Sequence, residues 1–494
     1  MNVFIIVIGL YLVGLTIMNF WKSRKVKSQD DMMVAGRSLS VTKMVFTLIC
    51  TWIGSGTFIA GAEFAAKAGW SALWQPFGAW IGIIVIYFLA AKIRTFGQYT
   101  VGDILEVRYG PVARIFGAIA ILISFTVIVS YQFKAGGYIL NAISDGAIPV
   151  DLGLFIAFIF VTVFTAIGGM VAVANTDLPN GIIILSSTVI ATPLVVLAVG
   201  SWDKLKTILP ETHFQVFSSA FGGNAYLKIP AIGLSGLLLL LGVQSMYQKF
   251  YSARNPGEAR KAAGLWVIGT IVVETVVIVM AVFAAAYFWQ DLSAGTMDHA
   301  AVVVHAAKKM IWLPVGILLL GAATAVVIST GMNYLLSPTT TILRDLYQRF
   351  IKKDASDRLM ILLQKFFILL LGIVAFFMAW RMQSVLESAY FAYTIYGVAI
   401  TPALLGALIS KKVTRTAGLI SIISGTLVTV FLKLSGYIWP TIMKPLGDPN
   451  GDPFGVPIIY PALAVSLLSL IVFSFFTKPP EKEVLARLFP QKKS

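Results

Sequence analysis

Residues 46–60, Phe-Thr-Leu-Ile-Cys-Thr-Trp-Ile-Gly-Ser-Gly-Thr-Phe-Ile-Ala, are apolar enough to enter a membrane, yet Gly54, Ser55, Gly56 and Thr57 interrupt them at mid-span. In hydrocarbon each unpaired backbone polar group costs several kcal/mol, so a broken helix persists only where it lines a cavity. Carbonyls freed at such a break, with small hydroxyls beside them, are hard oxygen ligands suited to Na⁺. The competing reading is a helix-packing face of small residues. A second polar run closes the apolar stretch 311–342, where Ser329, Thr330 and Asn333 fall within one turn of each other and their oxygens can converge. Membrane Ser and Thr often only bond back to a carbonyl one turn earlier, but a run this dense asks for more.

Two charges lie inside apolar stretches: Lys134 in Ser130-Tyr-Gln-Phe-Lys-Ala-Gly-Gly and Glu274 in Ile271-Val-Val-Glu-Thr-Val-Val. Each costs at least about 2.5 kcal/mol at mid-bilayer unless paired or wet, so both are functional candidates. Three readings stay open. The two side chains pair for stability alone, Lys134 binds a substrate carboxylate, or Glu274 carries a proton.

The elements that must position these groups follow from composition. The chain has 494 residues, is 58% hydrophobic and only 12% charged, with a mean hydropathy of +0.86. That composition points to a polytopic all-α membrane protein. Thirteen apolar stretches are long enough to cross about 30 Å of hydrocarbon. They lie near 2–21, 44–66, 72–91, 116–143, 152–171, 179–199, 229–248, 264–289, 311–342, 360–380, 388–409, 416–436 and 457–477.

The net charge of +16 does not indicate nucleic acid, because the basic residues sit in short loops. Taking loops alternately, 28 of the 38 Lys and Arg fall on one side, in 22–43, 92–114, 249–261, 344–365, 411–415 and 478–493. The positive-inside rule then places the amino terminus outside and the carboxyl terminus in the cytoplasm of a plasma or inner membrane protein. The first stretch lacks a preceding basic region and a following Ala-x-Ala, so it reads as a retained helix.

Cys50 is the only cysteine. His213, His299 and His305 are scattered and read as surface residues of the outward loops rather than metal ligands. No P-loop, Gly-x-Ser-x-Gly or His-Glu-x-x-His motif occurs, which argues against ATP-driven transport and the commonest hydrolases. The chain reads as no enzyme.

Trp52-Ile53-Gly54-Ser55-Gly56, Asn175-Thr176-Asp177, and Ile328-Ser329-Thr330 with Leu343-Arg344-Asp345-Leu346-Tyr347 together resemble the sodium:solute symporter family. Tyr247-Gln248-Lys249 with Ser252-Ala253-Arg254-Asn255 is similar to that family's sixth core helix exit, and Thr51-Trp52-Ile53-Gly54 is closest to its choline-transporter branch. The resemblance spans essentially the whole chain. It implies a leucine-transporter-like fold of two inverted five-helix repeats, 44–200 and 229–410, with a broken first core helix. Peripheral helices would occupy 1–22 and 416–477, followed by a cytoplasmic tail at 478–494.

The resemblance also implies a Na⁺ site built from the carbonyls of Cys50, Ile53 and Val326 and the hydroxyls of Ser329 and Thr330. Members that use a second sodium carry further hydroxyls where this chain has Met332 and Asn333, which puts a second ion in doubt. Asp177 would draw the departing ion toward the cytoplasm, or else cap a helix beginning near Pro179. Substrate contacts would come from Trp52, Thr57, Trp74, Gln75, Gln244 and Tyr393, with Lys134 and Glu274 as charged candidates. Trp52, Trp74 and Tyr393 would form an aromatic box for a quaternary ammonium.

The expected function is Na⁺-coupled import of a small organic solute by alternating access, slightly favouring one that bears a carboxylate. A quaternary ammonium such as choline is the alternative. Proton coupling through Glu274, and a channel or sensor on the same fold, remain as other classes. The expected partners are Na⁺, the solute and the lipid bilayer, with no nucleic acid and a monomer as the working unit.

Overall fold

A backbone in hydrocarbon satisfies its own N–H and C=O groups most simply as helix. The computed structural model of the protein, which describes residues 3–24, 27–221, 224–438 and 456–489, is helical throughout its spans, with no β-strand among those residues. The tail expected at 478–494 is described to Phe489, and Lys25, Lys444, Lys492 and Lys493 of the charge tally lie outside the described residues.

The principal helices are α1 (Val3–Ser23), α2 (Val41–Trp52), α3 (Ala62–Ala68), α4 (Trp74–Phe96), α5 (Pro111–Ile143) and α6 (Val150–Val199). They continue with α7 (Ala225–Gly242), α8 (Gln244–Ser252), α9 (Pro256–Tyr287), α10 (Leu313–Thr341) and α11 (Asp357–Arg381). The series ends with α12 (Val385–Ile409), α13 (Arg415–Ile438) and α14 (Ile459–Phe476).

Twelve helical segments among the described residues are long and apolar enough to cross a membrane, one fewer than the thirteen expected. The difference lies in the expected span 44–66. Helix α2 has 12 residues, roughly 18 Å of rise, too short to cross alone. The chain leaves helical geometry at Ile53 (ψ 90°) and resumes in a wide π-type turn over Gly56–Gly61 that leads into α3. Such turns recur at functional sites.

A second break was not anticipated. The expected span 229–248 is interrupted at Val243 (ψ 116°), which separates α7 from α8. The Tyr396 hydroxyl of α12 bridges the gap, donating to Gly242 O at 2.7 Å and accepting from Gln244 N at 3.0 Å. The two spans expected at 152–171 and 179–199 are joined within α6 at Gly169, whose φ of +51° lies in the left-handed region. A Cβ there would stand 2.2 Å from Met32 Sδ, so only glycine fits.

Helix α10 packs chiefly against α6 and α5, α2 against α6 and α9, and α12 against α7 and α5. Small residues allow close crossings: a Cβ on Gly78 of α4 would lie 1.8 Å from Gly233 O of α7. At one end of the bundle, Arg114 ties Asp345, beyond α10, to Asp103 and Glu106 before α5.

Two placements correct the sequence reading. His213 is not a surface residue: it is 1% exposed, with Nε2 3.0 Å from Ala66 O and its ring edge-on to Trp289. Lys249, counted among loop residues, is wholly buried in α8.

Candidate functional site

The break after α2 exposes carbonyls that would otherwise be spent on helix bonds, and α10 brings hydroxyls to them. Thr330 Oγ1 lies 2.9 Å from Cys50 O and 3.3 Å from Ile53 O. Ser329 Oγ stands 3.5 Å from Cys50 O and donates to Asp177 Oδ1 at 2.5 Å. Four of the five expected Na⁺ ligands therefore meet in one place. Val326, one turn before Thr330, is buried on the same helix.

Asp177 is fully buried within α6. It accepts from Ser329, from Thr47 and from Asn333 Nδ2 at 3.4 Å. Its backbone carbonyl accepts the Cys50 thiol at 3.3 Å. The capping alternative does not apply, because α6 continues through Pro179. The Lys249 ammonium bonds Asn333 Oδ1 and lies 3.3 Å from Met170 Sδ, so Asn333 relays between the lysine and the carboxylate.

The unwound segment is held open by two glutamines. Gln132 Oε1 accepts from Ser55 N at 3.2 Å and from Ser55 Oγ at 2.7 Å. Gln75 Nε2 donates to Gly56 O at 2.9 Å. The remaining polar atoms, Gln132 Nε2 and Gln75 Oε1, are buried without a partner.

Glu274 anchors a second cluster. Its Oε1 accepts from Trp52 Nε1 at 2.9 Å and Thr57 Oγ1 at 3.4 Å, and its Oε2 from Trp80 Nε1 at 2.8 Å. The Trp52 and Tyr393 rings sit 6.1 Å apart, and Tyr393 Oη is 3.3 Å from Tyr131 Oη.

Three expected contacts fall elsewhere. Lys134 does not pair with Glu274; its ammonium lies 6.0 Å from the Tyr138 ring centre. Trp74 leaves the expected aromatic box, bonding Val216 O at 3.1 Å and packing on Phe217. Gln244 is spent on structure, donating to Thr341 Oγ1 and Ser337 and accepting from Val101 N.

The sequence reading missed Gln132, Trp80 and Lys249. Gln132 precedes Lys134 by two residues, which on a helix sets them on nearly opposite faces. The charge drew attention to the wrong face. Trp80 follows Trp74 on the same helix α4, and from sequence alone an indole in an apolar stretch reads equally well as an interfacial ring.

An all-helical membrane bundle in which a broken helix turns its carbonyls toward hydroxyls of a distant helix defines a secondary transporter. Residues 32–425 match the Sodium:solute symporter family, and the chain belongs to it. The high-affinity proline transporter PutP of Bacillus subtilis is 23% identical over 491 residues, covering 95% of this chain and 97% of that one. The high-affinity choline transporter 1 of Torpedo marmorata is 24% identical over 446 residues, covering 84% and 73%. The fold matches a Na⁺-coupled sialic acid symporter in a substrate-bound outward-open state, with TM-score 0.78, 14% identity and coverage of 97% and 99%. The protein is thus an integral membrane symporter of a small organic solute, not an enzyme.

Proposed function

We propose that the protein imports its solute together with Na⁺, which is seated by Cys50 O, Ile53 O, Val326 O and the hydroxyls of Ser329 and Thr330. The convergence of Thr330 Oγ1 on Cys50 O and Ile53 O carries this reading. Carbonyl and hydroxyl oxygens gathered across a helix break are hard ligands of the kind that suit Na⁺. Asp177, bonded to Ser329, adds negative charge at the inner side of the site and draws the ion onward.

Alternating access would come from rocking of the helix bundle formed by the two repeats, 44–200 and 229–410, exposing the site to each side in turn. The amino terminus would lie outside and the carboxyl terminus in the cytoplasm, as the Lys and Arg distribution implies. Na⁺ bound to α2 and α10 would favour the outward-open form, and solute would bind beside Trp52, Thr57, Gln75 and Tyr393. Each ligand then raises the other's affinity by the same factor.

Two relatives, a proline transporter and a choline transporter, support a small solute bearing nitrogen. The test is a thermal melt of the purified protein titrated with Na⁺ against K⁺. Na⁺ alone should stabilise the wild type, and Ser329→Ala with Thr330→Ala should weaken that response at least tenfold. An unchanged Na⁺ response in the double variant would reject this site. Solute uptake indifferent to Na⁺ but driven by acid would instead favour proton coupling through Glu274.

A further inference from the structure

Five acidic side chains are buried among the described residues: Glu63, Asp103, Asp177, Glu274 and Asp345. Four of them have a cation in their network. Glu63 pairs with Lys67 at 2.7 Å, Asp103 and Asp345 share Arg114, and Asp177 reaches Lys249 through Asn333.

Glu274 is the exception. It is 4% exposed in the middle of α9, and its three donors, the Trp52 and Trp80 indoles and the Thr57 hydroxyl, are all neutral. No Lys or Arg nitrogen among the described residues lies within 4.0 Å of it. Indole N–H groups orient a carboxylate without cancelling its charge, and an ion left uncompensated in the membrane interior is costly.

The surroundings complete a cation's needs. The Trp52 ring, bonded to the carboxylate through its N–H, has its centre 6.1 Å from that of Tyr393 with the planes tilted by 32°, and aromatic rings attract cations. Thr57, one of its donors, lies on the turn whose Gly56 carbonyl Gln75 holds. The buried Oε1 of Gln75 has no partner and can accept an N–H. On the opposite flank of the break, the unpartnered Gln132 Nε2 can donate to an oxygen.

We infer that Glu274 is the counter-ion for a positively charged nitrogen on the solute, with Trp52, Tyr393 and Gln75 around that nitrogen and Gln132 donating to an oxygen at the solute's other end. This rests on the symport reading above and specifies its substrate class: an amino acid or an amino alcohol rather than a plain carboxylate or a sugar. Lys134, which stands away from this cluster, takes no part.

The test uses pairs that differ in the nitrogen alone. L-Proline is set against cyclopentanecarboxylate, and choline against 3,3-dimethylbutan-1-ol, in thermal melts of the full-length protein in Na⁺. At least one nitrogen-bearing member should stabilise the protein while its partner does not. In Glu274→Gln the response to that member should weaken by at least about 30-fold, the range for stranding or removing one partner of a desolvated ion pair. Equal stabilisation by both members of a pair, stabilisation by neither cation, or an undiminished response in Glu274→Gln would each overturn the proposal. Trp80→Phe supplies a second variant should Glu274→Gln fail to fold: it frees one carboxylate oxygen and should preserve the preference for the cation. Loss of that preference would overturn the proposal too. The response to Na⁺ without solute is read in the same samples, and its failure counts against the ion site and not against the choice of nitrogen.

Discussion

Asp177 and Glu274 are both carboxylates buried in the bundle, and each accepts from three neutral donors. Thr47, Ser329 and Asn333 surround the first, and Trp52, Thr57 and Trp80 the second. They differ in what lies beyond. Behind Asn333 stands the Lys249 ammonium, fully buried, so the Asp177 region is balanced from within the chain. Beyond the two indoles stand Tyr393, beside Trp52, and Phe77, edge-on to Trp80, and among the described residues no Lys or Arg pairs with Glu274. The chain's own ammonium compensates Asp177 before any ligand arrives, whereas the charge that would balance Glu274 has to come from outside the chain.

The contrast can be broken most forcefully at Asp177. Asp177→Ala removes three acceptor bonds and leaves Lys249 buried without its anion, a loss of about 3–5 kcal/mol by analogy with a severed buried pair. A melt of the detergent-solubilised protein reads it. Adding Lys249→Met should recover much of that loss, and a double variant no better than the single would break the pairing of the two sites through Asn333.

Gly54→Ala comes next. The new methyl would stand 2.7 Å from Thr330 Cγ2 and 2.9 Å from Thr330 Oγ1, overpacking at about 1–3 kcal/mol. Displacing that hydroxyl should also cost about tenfold or more in the Na⁺ concentration needed for stabilisation, while wild-type Na⁺ affinity would show that Thr330 is no ligand.

Glu274→Gln should be far milder than Asp177→Ala on folding, about 1 kcal/mol or less. It strands no cation and misplaces only one indole bond. A melt as damaged as that of Asp177→Ala would mean that Glu274 is structural, and the comparison would collapse.

The smallest effect sharpens the comparison from outside the bundle. Burial pushes the His213 imidazole below its ordinary value of 6.5, with the bond to Ala66 O opposing. The neutral ring is the folded form, so below about pH 6.5 the unfolded chain binds more protons and stability falls as the pH drops; above it the contribution is constant. A pH series of melts should show this slope, and His213→Gln should flatten it.

Much of the architecture was legible because hydrocarbon length and charge placement leave few choices. The first break announced itself through Gly54, Ser55 and Gly56, which no continuous membrane helix needs. Ser329 and Thr330 could be matched to Cys50 and Ile53 because the residues on both sides of the contact carry recognisable wording. The break at Val243 was hidden, since only Gly242 marks it and its staple, Tyr396, comes from a helix about 150 residues away. Lys249 sits where an apolar stretch ends, and from sequence alone a lysine there reads as a loop residue. Only tertiary packing could reveal that it points inward. Trp74 and Trp80 share a helix, and the choice between them depends on how that helix turns against α9.

Cys50, the chain's only cysteine, is buried with its thiol on the Asp177 carbonyl, and its own carbonyl is within reach of Thr330 and Ser329. The protein therefore carries a native chemical reporter beside the proposed ion site. The sulfur is wholly buried between α2 and α6, so labelling by a water-borne maleimide would record how often that junction opens to water, without a single engineered residue.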